Sequence, residues 1–251
     1  MSRRHPDHPR PQRRPSGPWR HGPIPVVGVV GGIGAGKSEA SAAFAARGAF
    51  VLDADAIGHA LLDQSPARDR ILERFGEAIL APHDEDKEGV RRPIDRRALA
   101  GIVFAVPSAL LDLETILHPL MRKTFEKAIA RESRRARHPA VVLDAAILFE
   151  AEWDSLCDLI VHVEARPEVR LARLEATRGW TAEGLAAREK AQGDPEEKRR
   201  RSHFVLANDG DREAFRASAD ALWPVMISSP RRRPTQDREA SAPSSRGQPS
   251  P

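Results

Sequence analysis

The chain has 251 residues, 40% of them apolar and 30% charged, with one cysteine and a net charge of +4. That supports one large domain with room for an insertion, and no apolar run approaches the roughly 20 residues that cross a bilayer. The basic balance lies at the ends, +5 over residues 1–22 and +3 over 228–251 against −4 between them, which argues against a dedicated nucleic-acid-binding core.

Cys157 has no internal disulfide partner, which fits a reducing, cytoplasmic setting. The Arg-rich N-terminus lacks the apolar segment of a secretory signal. The ends hold 12 of the 21 prolines, seven in 1–25 and five in 228–251. Such segments bury too little apolar surface to offset chain entropy, so residues 1–24 and 227–251 are expected as disordered tails around a domain at 25–226.

IPVVGVV (24–30) reads as a strand covered on both faces. The glycine-rich GGIGAGKS follows, then KSEASAAFAARG, whose apolar residues recur on helical turns until Gly48. AFVLD (49–53) is a second strand. Strand, loop, helix and strand make a right-handed βαβ unit and predict a parallel sheet.

Residues 55–137 are mostly helical by their three- and four-residue apolar spacing. One long helix is predicted from Ser108, with Ser108 as its cap and a kink at Pro119; residues 82–93 form a long polar loop. Strands return at 140–144 and 158–165. Helices follow from Pro167 to Gly179, from Thr181 and from Asp194, each of the last two opening on a capping residue. HFVLAND (203–209) is the last strand and 211–223 the last helix. The expected architecture is α/β: a parallel sheet of about five strands interrupted by a helical insertion at 55–137.

Gly31-x4-Gly36-Lys37-Ser38 is a phosphate-binding loop. Backbone N–H groups of Gly32, Ile33, Gly34, Ala35 and Gly36 can turn inward around an anionic oxygen, aided by the helix N-terminus. Lys37 can reach the β- and γ-phosphates, and the Ser38 hydroxyl can ligate Mg²⁺. The ligand is therefore a nucleoside triphosphate with Mg²⁺, and a guanine-specific GTPase is disfavoured. No lysine is followed two places on by Asp, as a guanine-specific loop would require.

Asp53 and Asp55 close the second strand as D-A-D, and residues i and i+2 of a strand share one face, so both carboxylates can point the same way. A carboxylate at that sheet edge can accept the proton of an attacking hydroxyl; a helix cap is the competing role for one of the pair. A second class of function, a nucleotide-dependent RNA-binding protein working through the basic tails, predicts acceptor-independent hydrolysis and salt-sensitive RNA affinity.

GGIGAGKS, the D-A-D strand end, IDRRALAGIVF, LHP, LDAAILFE and the late R-x3-Q and N-x-G strings together resemble the dephospho-coenzyme A kinase family over residues 26–224. The resemblance implies transfer of the ATP γ-phosphate to the ribose 3′-hydroxyl of dephospho-CoA, the last step of CoA synthesis. It implies Asp55 as the base, and Asp95, Arg96 and His118 as acceptor-binding residues of the insertion. It implies a three-layer P-loop NTPase-type sandwich with a helical lid at 177–196, in which Arg178 matches the lid arginine, Arg188 and Gln192 the R-x3-Q string, and Asn208 and Gly210 the turn that packs the adenine. ATP, Mg²⁺ and dephospho-CoA are then the ligands, with no membrane and no specific nucleic acid. A kinase for another nucleoside or nucleotide acceptor is the nearest alternative. Asp144, closing the third strand, is expected either behind Mg²⁺ or supporting Ser38. The chain departs from the family pattern at Ala146, where Pro is common and a looser turn is expected; at Glu39, expected to face away from phosphate; at Ser202-His203; and in the longer loop.

Overall fold

A computed structural model of the chain describes residues 18–82, 91–189 and 193–228. Most of the two expected disordered tails (1–17 of 1–24 and 229–251 of 227–251), most of the long polar loop, and Gln192 lie outside these. β1 (Val26–Gly31), β2 (Phe50–Asp53), β3 (Val141–Asp144), β4 (Leu159–Glu164) and β5 (Phe204–Ala207) form one sheet in the order β2-β3-β1-β4-β5. Every pairing is parallel, as the βαβ reading predicts.

All six residues of β1 are buried. Its alternate side chains serve two cores. Val27 and Val29 join Phe44 of α1 (Lys37–Ala46) and Trp223 of α9 (Arg212–Ile227) on one face. Val26 and Val30 join Phe125 of α5 (Pro107–Arg135) and Trp153 on the other. This double burial is why the strand reads as an unbroken apolar run.

The insertion comprises α2 (Ala54–Leu62), α3 (Ala67–Phe75), α4 (Arg96–Ala105) and α5. It has its own apolar cluster, including Leu62, Ile71, Leu99 and Val103. Beyond β4 come α6 (Pro167–Arg178), α7 (Ala182–Glu189) and α8 (Pro195–Arg201). Asp194 caps α8 by accepting from the Glu196 N–H, and Gly179 ends α6 in the left-handed region at φ 64°.

Two local expectations are corrected. Ser108 is not the cap of α5: Pro107 takes the first helical position after an extended Val106, because its fixed φ and missing N–H suit a first turn. The single long helix expected here is present, with Pro119 inside it. The N-terminal tail ends earlier than residue 24. Trp19 is 8% exposed within the first core cluster, and the Arg20 N–H donates to Asp158 at 2.7 Å. One tryptophan brings enough apolar area to anchor a segment of otherwise tail-like composition.

Candidate active site

The loop between β1 and α1 is closed by its own backbone, with the Ala35 N–H donating to the Gly32 carbonyl at 3.1 Å. Gly36 stands at φ 102°, and a Cβ there would lie 2.1 Å from the Asn208 amide nitrogen. Only glycine fits that point. Asn208, 6% exposed, donates from Nδ2 to the Ala35 carbonyl at 2.8 Å. Its Oδ1 accepts from Arg173, which also donates to the Gly210 carbonyl, each at 3.3 Å. The N-x-G turn after β5 is thus tied directly to the phosphate loop.

Burial lowers the Lys37 pKa from its ordinary value, while the carboxylates of Asp144 and Asp55 raise it and the charges of Lys198 and Arg178 lower it. Lys37 is therefore within electrostatic reach of Asp144 at the end of β3 and of Asp55 at the start of α2. Asp144 accepts from the Ser41 hydroxyl at 2.8 Å, so Ser41 is the serine shown to bond it. Burial raises its pKa, reinforced by Asp53 and Asp55 and opposed by Ser41 and Lys37.

Asp53 and Asp55 do not share a strand face. β2 stops at Asp53, which caps α2 by accepting from the Ala56 N–H at 3.0 Å; Asp55 stands in the first turn of α2. A capping carboxylate two residues earlier turns the chain into a helix, and the strand periodicity ends there.

Asp55 lines one side of a cleft of about 280 Å³ between α2, α4 and α5, together with Arg96 and His118. Leu99, Val103 and Leu117 supply apolar walls. His118 packs edge-on against Trp153 at 5.2 Å between centroids. Burial pushes its pKa down, with Glu114 opposing, so the ring is neutral near pH 7. Asp95 is not among the lining residues. Its carboxylate caps α4 through the Arg97 and Ala98 N–H groups at 2.8 and 3.3 Å, which sets Arg96 at the helix start.

Arg178 and Arg188 both face Trp180, their guanidinium carbons 5.5 and 4.2 Å from its ring centroid. Trp180 was not singled out from sequence. Nor was Arg170, whose Nη1 donates to the Ile33 carbonyl at 3.3 Å and pairs with Glu189. The three-residue spacing of Arg170 and Arg173, one helical face, was the available signal. Lys198, 5% exposed, donates to the Ala146 carbonyl at 2.8 Å and pairs with Glu150 at 2.7 Å, so the turn lacking proline is held by an ammonium instead. Glu39 pairs with Arg212 and Arg216 of α9, consistent with a side chain turned from the phosphate loop.

A parallel sheet, a glycine loop running into α1 at a half-buried lysine, and an adjoining cleft reached by Asp55 define a P-loop kinase. A family model described as dephospho-CoA kinase matches residues 25–213. The chain is 37% identical to a dephospho-CoA kinase of Symbiobacterium thermophilum over 79% of its length and 80% of that protein. It is 36% identical to one of Chlorobaculum tepidum, over 80% of this chain and 95% of that one. A crystal structure, TT1252 from Thermus thermophilus, superposes with a TM-score of 0.65 at 32% identity, covering 81% of this chain and 98% of that one. The chain belongs to the dephospho-CoA kinase family.

Proposed function

We propose that the chain transfers the γ-phosphate of ATP to the ribose 3′-hydroxyl of dephospho-CoA, with Asp55 as the base. The observation that carries this assignment is that Asp55 is shared: it lines the acceptor cleft and also acts electrostatically on Lys37 of the phosphate loop. A hydroxyl held there meets a proton acceptor on one side and the transferring phosphate on the other. The product is an ADP and a 3′-phosphorylated acceptor, and the proton leaves through the Asp55 carboxylate.

Lys37 and Arg178 are assigned to stabilising the negative charge on the transferring group. Gly32, Ile33, Gly34, Ala35 and Gly36 hold phosphate oxygens through backbone N–H groups, and Arg188 joins them from α7. Asn208 and Gly210 back the adenine end. Arg96 and neutral His118 bind the acceptor, with Asp95 acting through the α4 turn.

The oxygen donors fit a divalent cation. Ser38 follows Lys37 in the first turn of α1, and the Asp144 carboxylate has its pKa raised by burial and by neighbouring acids, a strain that a cation relieves. Among the described residues no cluster of three or more His, Cys, Asp or Glu forms a metal cage. That suits Mg²⁺, which keeps water and phosphate ligands. Bound there, Mg²⁺ would neutralise phosphate charge. Among the described residues no helix is long and apolar enough to cross a membrane, and we assign the enzyme to the cytoplasm.

The test is to incubate the protein with Mg-ATP and dephospho-CoA and look by mass spectrometry for a product one phosphate heavier. Parallel reactions contain AMP, adenosine or uridine. CoA formed by the wild type and not by Asp55→Asn supports the reading. Phosphorylation of another acceptor in preference points to a different substrate, and ADP release indifferent to acceptor overturns the kinase assignment.

A further inference from the structure

α7 ends on two neighbouring charges that face different ways. Arg188 folds back on its own helix, donating to the Gly184 carbonyl at 3.0 Å and lying over Trp180. Glu189, about 100° further round the helix axis, pairs instead with Arg170 of α6. Arg170 lies against the phosphate loop: its Nη1 donates to the Ile33 carbonyl, and a Cβ built on Gly32 would be 3.0 Å from that nitrogen. The Arg170 side chain is 13% exposed and that of Glu189 33%. Their attraction is therefore less screened than that of a surface pair.

This arrangement puts the wrong sign of charge beside an anion cradle. Gly32 and Ile33 belong to the loop that takes phosphate, and a carboxylate held next to them repels a triphosphate. The guanidinium it occupies has the planar fork that matches phosphate as well as carboxylate. Meanwhile the α7 arginine assigned to the nucleotide is engaged with Trp180. Both cations are thus spent on partners within the chain.

Resting on the reading of this loop as the ATP site, we propose that Arg170 is a further phosphate-binding residue and that Glu189 is its built-in competitor. The triphosphate displaces the Glu189 carboxylate from Arg170, and α7 turns so that Arg188 leaves Trp180 for the loop. Because a ligand shifts an equilibrium only through its differential affinity, ATP affinity is lowered by whatever the Arg170–Glu189 pair contributes to the nucleotide-free form.

The experiment is calorimetric titration of the full-length protein with Mg-ATP, without acceptor, for the wild type, Glu189→Gln, Arg170→Gln and the double variant. Glu189→Gln is near-isosteric, and its fold is checked by its melting temperature without nucleotide. It is expected to tighten ATP binding about threefold to tenfold, a gain equivalent to releasing one partly shielded ion pair. Arg170→Gln weakens binding, and by a larger factor in the Glu189→Gln background, where no competitor offsets its loss. A mere structural brace gives the opposite pattern: both single variants bind ATP more weakly and the double variant is no worse. That result, or an unchanged affinity in Glu189→Gln, overturns the inference alone. A wild type that does not bind Mg-ATP overturns the nucleotide reading and this inference with it.

Discussion

The side-chain amide of Asn208 donates to the carbonyl of Ala35 across 173 residues of sequence, at 2.8 Å and out of contact with water. The same side chain sits where a Cβ on Gly36 would fall, so one asparagine both supports the phosphate loop and excludes every larger residue from its last turn. Asn208→Ala leaves the Ala35 carbonyl unsatisfied. It is expected to cost about 1–3 kcal/mol of stability, read by urea denaturation. The KM for ATP should rise more than the KM for dephospho-CoA, because the damage lies on the nucleotide side.

Asp55 stands in the first turn of α2 as an exposed residue, so its substitution by Asn changes chemistry and little else. Turnover with dephospho-CoA should fall by about 10²- to 10⁴-fold, the usual contribution of a positioned general base. ATP binding and the melting temperature should stay near wild type. Equal loss of ATP binding would show that Asp55 serves the nucleotide instead.

Lys198 and Glu150 give an ordered pair of outcomes. Glu150→Gln leaves the ammonium, 6% exposed, with the Ala146 carbonyl and no counter-charge. Lys198→Met removes the buried charge itself and leaves a carboxylate that is 28% exposed. Breaking a buried pair by stranding its deeper charge is the costlier change, about 3–5 kcal/mol, so Glu150→Gln should melt below Lys198→Met. The reverse order would mean that Lys198 acts mainly through the Ala146 turn.

His162 on β4 is 4% exposed and its Nδ1 has no partner. Burial first, then the charges of Lys198 and Arg199, lower its pKa to about 4. An imidazole in the unfolded chain titrates near 6.5. The unfolded state therefore takes up a proton first as pH falls, so the stability from a neutral His162 is complete above pH 6.5. It is lost between about 6.5 and 4, at up to about 1.4 kcal/mol per pH unit. His162→Gln should flatten that part of the stability-versus-pH curve. An unchanged slope would assign the acid sensitivity to other groups.

The residues most legible in the sequence are those whose chemistry is local. The turns of GGIGAGKS, the covering of IPVVGVV and the C-cap at Gly179 are decided within a few residues by backbone freedom and apolar run length. The D-A-D string was legible as acids beside the loop, but not in its division of labour. Whether Asp53 continues a strand or caps a helix depends on the packing of α2 against β2 and α5, which no two-residue spacing contains. The tail boundary failed for a similar reason: Trp19 is anchored by a core that includes Phe44, Phe215 and Trp223, residues far along the chain.

From the sequence alone came the phosphate loop, the parallel sheet and a chain matching the dephospho-CoA kinase pattern, because glycine placement and hydrophobic period act at short range. Tertiary structure alone decided which groups meet. Asn208 reaches Ala35, Lys198 takes over the turn at Ala146, and Arg170 is claimed by Glu189 beside Gly32. Each of these contacts joins separate elements of the parallel fold, and the partner of a polar side chain in such a fold is set by crossover connections and sheet order rather than by its neighbours in sequence.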